Sequence, residues 1–271
     1  MKTLLYTCAD LAYDRIFTPV AATPGVDFVL FSDRRPRFVR GWEHHPFPEA
    51  TRGLTPSLVN RYCKFFPRRI FPRADVSIYV DANLLVIGDL SPLIAEFVAS
   101  GADIGLFPHK ERSDIFAEFE FGKRVGKIPP AEFERGEAQL ARYLAEGLPR
   151  DQLLTENAVI FRRHAAPGLD PAMELWWDEL ERGARRDQLS LPYVLWRSGL
   201  ATRIWDWNYR SDANPYFSRY IHRRGLASDI VIWMSAKRHY GPAWQIPIDG
   251  ATTAYARLKP LLARQRRAPR P

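Results

Sequence analysis

Apolar positions along the chain fall into two kinds of stretch that alternate. Short apolar runs cover Thr3 to Ala9, Phe28 to Phe31, Val76 to Val80, Asp103 to Phe107, Asn157 to Phe161 and Thr202 to Trp205. Rich in Val, Ile, Leu and Phe, they predict strands buried on both faces. Between them apolar residues recur at helical spacing. Leu11 to Val20 reads as one short helix, and Pro56 to Phe71 as a longer one bearing Leu58, Tyr62, Phe65 and Phe66. Ser91-Pro92 reads as an N-cap followed by proline at the first helical position, with the helix ending before Gly101. Ser113 is expected to cap a helix carrying Ile115, Phe116 and Phe119. Further helices are expected over Pro130 to Glu146, from Asp170-Pro171 to Gly183 with Met173, Trp176, Trp177 and Leu180 inward, and from Arg186 to Gly199. Arg34 to Gly53 reads as loop, and periodicity is lost from Asp206 to Gly250.

This alternation predicts an α/β fold, a mostly parallel, Rossmann-like central sheet flanked by helices, with an irregular C-terminal extension. The main domain is expected over residues 1–250, and a terminal helix with a basic tail over 251–271.

Composition narrows the reading. With 46% hydrophobic and 26% charged residues the chain is ordinary globular protein, which excludes wholesale disorder. Thirty-nine basic residues against 31 acidic give +8, concentrated between Arg34 and Arg40 and in the tail. That excess suits an anionic partner, and peripheral membrane contact through the tail is one expectation. The basic residues are otherwise dispersed and form no nucleic-acid module, so no nucleic-acid partner is expected. Cys8 and Cys63 lack metal or disulfide-framework spacing, which points to a reducing, cytoplasmic compartment. No segment reaches the roughly 20 apolar residues of a membrane helix. The dinucleotide glycine fingerprint, the phosphate-loop motif and the nucleophile elbow are all absent.

The chemistry concentrates where the central strand ends. Asp81 and Asn83 stand two residues apart at its carboxyl end, the edge where open α/β sheets bind ligands. Oxygen ligands there suit a hard divalent cation. A turn in which both side chains bond their own backbone is the other reading.

Several stretches together resemble glycosyltransferases of the GT-A fold: Arg61-Tyr62-Cys63-Lys64, Phe71-Pro72, and Ser77-Ile78-Tyr79-Val80-Asp81-Ala82-Asn83. More narrowly, the chain is similar to the glycosyltransferase-like domain of plant mucilage-related and bacterial proteins. Pro108-His109 with Arg112, then Leu154, Glu156, Val159-Ile160, Arg162, His164, Trp176, Glu179 and Arg186-Asp187-Gln188-Leu189-Ser190 carry that likeness. A more distant likeness is to retaining glycosyltransferase family 8, with His239-Tyr240-Gly241 in place of its late histidine segment. Two departures stand out. Asn83 occupies the position of the second aspartate, and Pro242-Ala243-Trp244 replaces the usual Lys-Pro-Trp.

The resemblance implies transfer of a sugar from a nucleotide-diphosphate sugar to a glycan or glycoconjugate acceptor, in bacterial surface polysaccharide assembly. It implies Mn2+ or Mg2+ held by Asp81, Asn83 and His239, since a cation would clamp the leaving diphosphate. Arg61, Lys64, Lys237 and Arg238 are the basic residues available to the phosphates. Thr7, Cys8, Ala9 and Asp33, at the ends of the first two strands, would face the nucleoside, with Ala82 beside Asp81. The acceptor side is expected at Glu156, Asn157, Asp187 and Gln188, with His109 and Arg112 nearby. Asp187 is expected to orient the acceptor hydroxyl or to stabilise cationic character on the sugar, while also capping its helix. A nucleotidyltransferase and a non-catalytic nucleotide- or polyanion-binding protein are the competing readings.

Overall fold

The computed structural model describes residues 1–211 and 214–250. Its strands are β1 (Thr3–Ala9), β2 (Val26–Ser32), β3 (Glu43–His45), β4 (Val76–Val80), β5 (Leu84–Val86), β6 (Ile104–Pro108), β7 (Thr155–Arg163), β8 (Thr202–Ile204) and β9 (Phe217–Arg219). The helices are α1 (Pro56–Phe65), α2 (Pro67–Ile70), α3 (Ser91–Ala99), α4 (Ile115–Arg124), α5 (Phe133–Ala145), α6 (Leu169–Arg182), α7 (Asp187–Ser198) and α8 (Leu226–Lys237). Seven strands form one sheet in the order β3-β2-β1-β4-β7-β6-β8, and β5 pairs with β9 in a second. Within the large sheet only β7 runs against its neighbours. The expected α/β architecture, a mostly parallel sheet with helices on both faces, is what forms.

Alternation along the strands feeds two cores. Leu4, Tyr6 and Cys8 of β1 point with Tyr79 and Ile160 toward α1, α6 and α7. Leu5, Ile78, Val80 and Phe161 point the other way, onto Leu93, Ile94 and Phe97 of α3 and onto Trp205. Trp176 is fully buried and stacks on Phe65 with centroids 3.7 Å apart, so the tryptophans of α6 belong to the core.

Several local expectations are corrected. No helix covers Leu11 to Val20. The Asp10 carboxylate bonds the amide of Ala12, Asp10 O accepts from Tyr13 and Asp14, and a single turn then gives way to extended chain before Pro19. The long helix after Pro56 breaks at Pro67, whose ring cannot continue the ladder. Asp114, not Ser113, caps α4 by accepting from the amides of Phe116 and Ala117. Ser91 is the first residue of α3, and Asp89 accepts from its amide. The C-terminal extension is not irregular throughout, because β9 and α8 lie within it. The β9 strand pairs with β5, and Tyr220, Ile232 and Ala236 bury against Leu85. The helix expected over Thr252 to Gln265 and the basic tail lie outside the described residues. Gly199 takes the left-handed conformation (φ 64°) that closes α7, as the sequence implied.

One buried titratable group gives a pH prediction. His164 bonds Ser77 Oγ at 2.8 Å and is buried beside β4. Burial first, then Arg162 and Arg68, pull its pKa from 6.5 to about 4. Between those values the unfolded chain binds a proton that the folded chain refuses, so stability falls as pH drops. Comparing pH 7 with pH 5, about 1–2 kcal/mol is expected to be lost through this group. Urea titrations should show His164→Gln losing that much less than the parent across the interval. Parallel losses in both proteins would refute the assignment.

Candidate active site

The carboxyl edge of the parallel strands gathers Asp81, Glu156 and Asn157 with the ends of the first two strands. Ala9 and Ser32 end β1 and β2, and Asp81 follows β4. Because β7 runs backwards, its first residues, Glu156 and Asn157, lie on the same edge. The Asp81 amide donates to Ala158 O at 2.8 Å, and His109 follows the end of β6.

At the centre sits a charged cluster. Lys64, on the core side of α1, is buried. Its ammonium lies 3.0 Å from Asp187 Oδ2 and 3.2 Å from Asp81 Oδ1, and 5.0 Å from the Tyr79 ring. Arg61, one turn earlier, approaches Asp187 Oδ1 at 3.6 Å. Asn60 on the same helix spans from Cys8 O (2.8 Å) to the Tyr79 hydroxyl (3.1 Å). A buried ammonium needs such partners, since an unpaired one would deprotonate or refuse burial. Burial alone would push the Asp187 carboxyl up. Lys64, Arg61 and Arg186 outweigh burial and hold the carboxyl well below the usual carboxylate range. Asp187 therefore stabilises the fold above that range, a contribution lost as acid protonates it. The expected capping role is corrected. Asp187 is the first residue of α7, follows Arg186 at the cap position, and makes no side-chain cap bond. Its carboxylate turns to Lys64, and its carbonyl accepts from the Trp176 indole at 3.1 Å.

A second network continues from the cluster. Glu118 is fully buried on α4 and holds Arg112 Nε at 2.5 Å and Arg186 at 2.7 Å. Arg186 also donates to Gln188 Oε1, and Arg112 reaches His109 at 2.8 Å. Glu156 lies 3.7 Å from His109, accepts from Arg210 at 2.6 Å, and faces the Tyr209 hydroxyl at 3.3 Å. The predicted acceptor residues Glu156, Gln188, His109 and Arg112 are thus linked in one chain of contacts. Burial lowers the His109 pKa, opposed by Glu156 and reinforced by Arg112.

Three buried polar atoms lack partners near this edge: Thr7 Oγ1, Arg61 Nε and Asn157 Nδ2. Such orphans are uncommon in folded proteins and mark where an absent polar group would bond.

The remaining expected residues are placed differently. Cys8 and Cys63 are free and buried, and Ala9 and Ala82 are buried as well. Asp33 ties its own loop down, accepting from the Leu11 amide (3.0 Å) and from Arg34 (2.7 Å). Lys237 ends α8 with its ammonium 5.0 Å from the Tyr240 ring, engaged there rather than with the central cluster. The metal set does not assemble as expected. Asn83 donates to Tyr220 O at 3.2 Å, and the histidine beside it is His222 at 3.4 Å. His222 in turn pairs with Asp14 at 2.7 Å. His239 bonds Ser218 Oγ on β9 instead. Among the described residues no three His, Cys, Asp or Glu side chains converge on a metal position. Asp81 already faces an ammonium, so as placed these donors do not fit a divalent ion.

Sequence reading missed Asn60, Glu118, Tyr209, Arg210 and His222. Glu118 alone carried a signal, since it shares the inward stripe of α4 with Ile115 and Phe119. A carboxylate on a buried stripe must find cations.

A family model described as TOD1/MUCI70, glycosyltransferase-like domain, matches residues 54–211. That interval spans α1 through the Arg210 contact and holds both charged networks. The chain belongs to this TOD1/MUCI70 family of glycosyltransferase-like domains. A curated relative, the "Probable hexosyltransferase MUCI70" of Arabidopsis thaliana, is 30% identical over 138 residues, 48% of this chain. The match covers 23% of that relative, so this chain spans less than a quarter of its length. Among solved structures, that of mouse Xyloside xylosyltransferase 1 in its apo form aligns with a TM-score of 0.43 at 13% identity. The alignment covers 75% of this chain and 84% of the mouse chain.

Proposed function

We propose that this TOD1/MUCI70-family chain is a glycosyltransferase that moves a hexosyl group from a nucleotide-diphosphate sugar to a glycan or glycoconjugate acceptor. The observation that carries the reading is the Lys64–Asp187–Arg61 cluster, set beside Asp81 on the ligand-binding edge of the sheet. Departure of a nucleoside diphosphate builds negative charge, and fixed cations in a site shielded from water stabilise it strongly. Lys64 and Arg61 supply that charge in this reading. Asp187, kept ionised by the same cations, faces the sugar, and the network of Glu156, His109 and Arg210 receives the acceptor. The partnerless Thr7 Oγ1, Arg61 Nε and Asn157 Nδ2 are the groups a bound donor would satisfy. The relative's printed name, hexosyltransferase, supports the sugar class. Assembly of a bacterial surface polysaccharide is the proposed setting.

Thermal-shift titration with nucleoside diphosphates and nucleotide sugars tests the donor. A binder at 100 times its Kd stabilises by about 2.7 kcal/mol through mass action. The expected result is a specific rise with one nucleotide sugar, nearly equal with manganese and with EDTA, and abolished by Lys64→Met. A rise that requires manganese would return the phosphate-binding role to a metal. No rise with any nucleotide, together with a salt-sensitive rise with DNA, would favour the polyanion-binding alternative.

A further inference from the structure

The β2–β3 loop presents a feature that the transferase reading does not use. Phe38 is 98% exposed and adopts a left-handed backbone conformation (φ 60°), unfavourable for an aromatic residue. Around it stand Arg34, Arg35, Arg37 and Arg40, all exposed. Arg34 pairs with Asp33, while Arg35, Arg37 and Arg40 have no ion-pair partner among the described residues. The loop is nevertheless anchored at both ends. Ser32 Oγ donates to Arg34 O at 2.8 Å. The Arg40 amide donates to Thr18 Oγ1 at 2.9 Å, and the Trp42 indole to Phe17 O at 2.9 Å. A tethered loop thus holds an aromatic ring in water and carries three exposed arginines, Arg35, Arg37 and Arg40, without ion-pair partners among the described residues.

We infer that this loop docks the protein on an anionic lipid surface, with Phe38 entering the headgroup–acyl boundary and the arginines meeting lipid phosphates. The chemistry matches that occupant in both parts. An apolar wedge gains by leaving water, and basic residues gain about fivefold each near an anionic leaflet. A basic segment alone would serve any polyanion. A fully exposed phenylalanine at its tip gains only from an apolar phase. The segment on which the loop is tied leads to a second apolar surface. Tyr240 donates to Thr18 O, Arg223 donates to Leu11 O at 2.8 Å, and on α8 Leu226 is 79% and Ile230 53% exposed. Among the described residues no helix is long and apolar enough to cross a membrane, so contact from these elements is surface contact. The inference does not depend on the reaction.

The test is co-sedimentation of the full chain with vesicles of phosphatidylcholine alone and with 30% phosphatidylglycerol, at about 0.1 M salt, where charges remain incompletely screened. Binding is expected only to the anionic vesicles. Phe38→Ser should weaken it roughly tenfold or more, as the loss of one buried aromatic side chain predicts. Arg35→Gln with Arg37→Gln should weaken it by roughly 25-fold, at the stated gain per charge. Both variants should keep the parent melting temperature and nucleotide-sugar response. Equal anionic-vesicle binding by parent and both variants would overturn the assignment, as would absence of binding by the parent. Sedimentation equilibrium showing a dimer that Phe38→Ser dissolves would reassign the loop to self-association.

Discussion

Asp187→Asn is expected to lower transfer by roughly 10²–10⁴-fold while leaving nucleotide-sugar affinity within a few fold, a loss carried in kcat. The amide keeps the shape of the side chain but not the charge that Lys64 and Arg61 are arranged around. Stability should fall as well. Removing one partner from a buried ion pair costs about 3–5 kcal/mol, and the lower end applies because Asp81 remains 3.2 Å from Lys64. The two roles separate in a double variant. Lys64→Met with Asp187→Leu exchanges the buried pair for apolar side chains of similar size, which is often neutral or stabilising. Because it also deprives Arg61 and Asp81 of these partners, it should recover only part of the lost melting temperature and none of the transfer. Full turnover in Asp187→Asn would make the carboxylate structural only and remove the centre of the proposed mechanism.

Trp176→Ala is expected to destabilise the fold by about 3–5 kcal/mol. The indole stacks on Phe65 of α1 at 3.7 Å and donates to Asp187 O at 3.1 Å. One side chain therefore joins the helix that supplies Lys64 to the helix that supplies Asp187. Truncation opens a cavity between α1 and α6 and removes the indole donor from the Asp187 carbonyl, which keeps only the longer bond from Ser190 Oγ (3.5 Å) among its side-chain donors. Trp176→Phe should retain most of the packing and lose chiefly that hydrogen bond, costing about 1–2 kcal/mol. Chemical denaturation checks both. A loss under 1 kcal/mol for Trp176→Ala would mean that the helices are not coupled through this ring.

The sequence by itself determined β1, β2, β4, β6, β7, β8 and most helices, because their signals are local, while the three-residue strands β3 (inside the expected loop Arg34 to Gly53), β5 and β9 went unread. Runs such as Val76 to Val80 are too apolar for anything but a two-sided core, and Pro and Gly mark helix limits at Pro92, Gly101 and Gly199. It also put Asp81 on the ligand edge, since a carboxylate just after a buried strand has little choice. Failures followed from signals that are not local. An apolar run reads alike in either direction, so the antiparallel sense of β7, which brings Glu156 to the ligand edge, was invisible. The helix expected from Leu11 to Val20 was overruled by contacts to Val86 of β5 and to Tyr220 and Tyr240 late in the chain. Only the tertiary structure decided the chemistry of the candidate site. Lys64 and Asp187 are 123 residues apart, and nothing near either one announces the other. Their pairing follows from burial, because two charges withdrawn from water are tolerable only together. The same requirement bound Glu118 to Arg112 and Arg186, and the need of a buried amide for a hydrogen-bond partner turned Asn83 toward the Tyr220 carbonyl, beside His222 rather than His239.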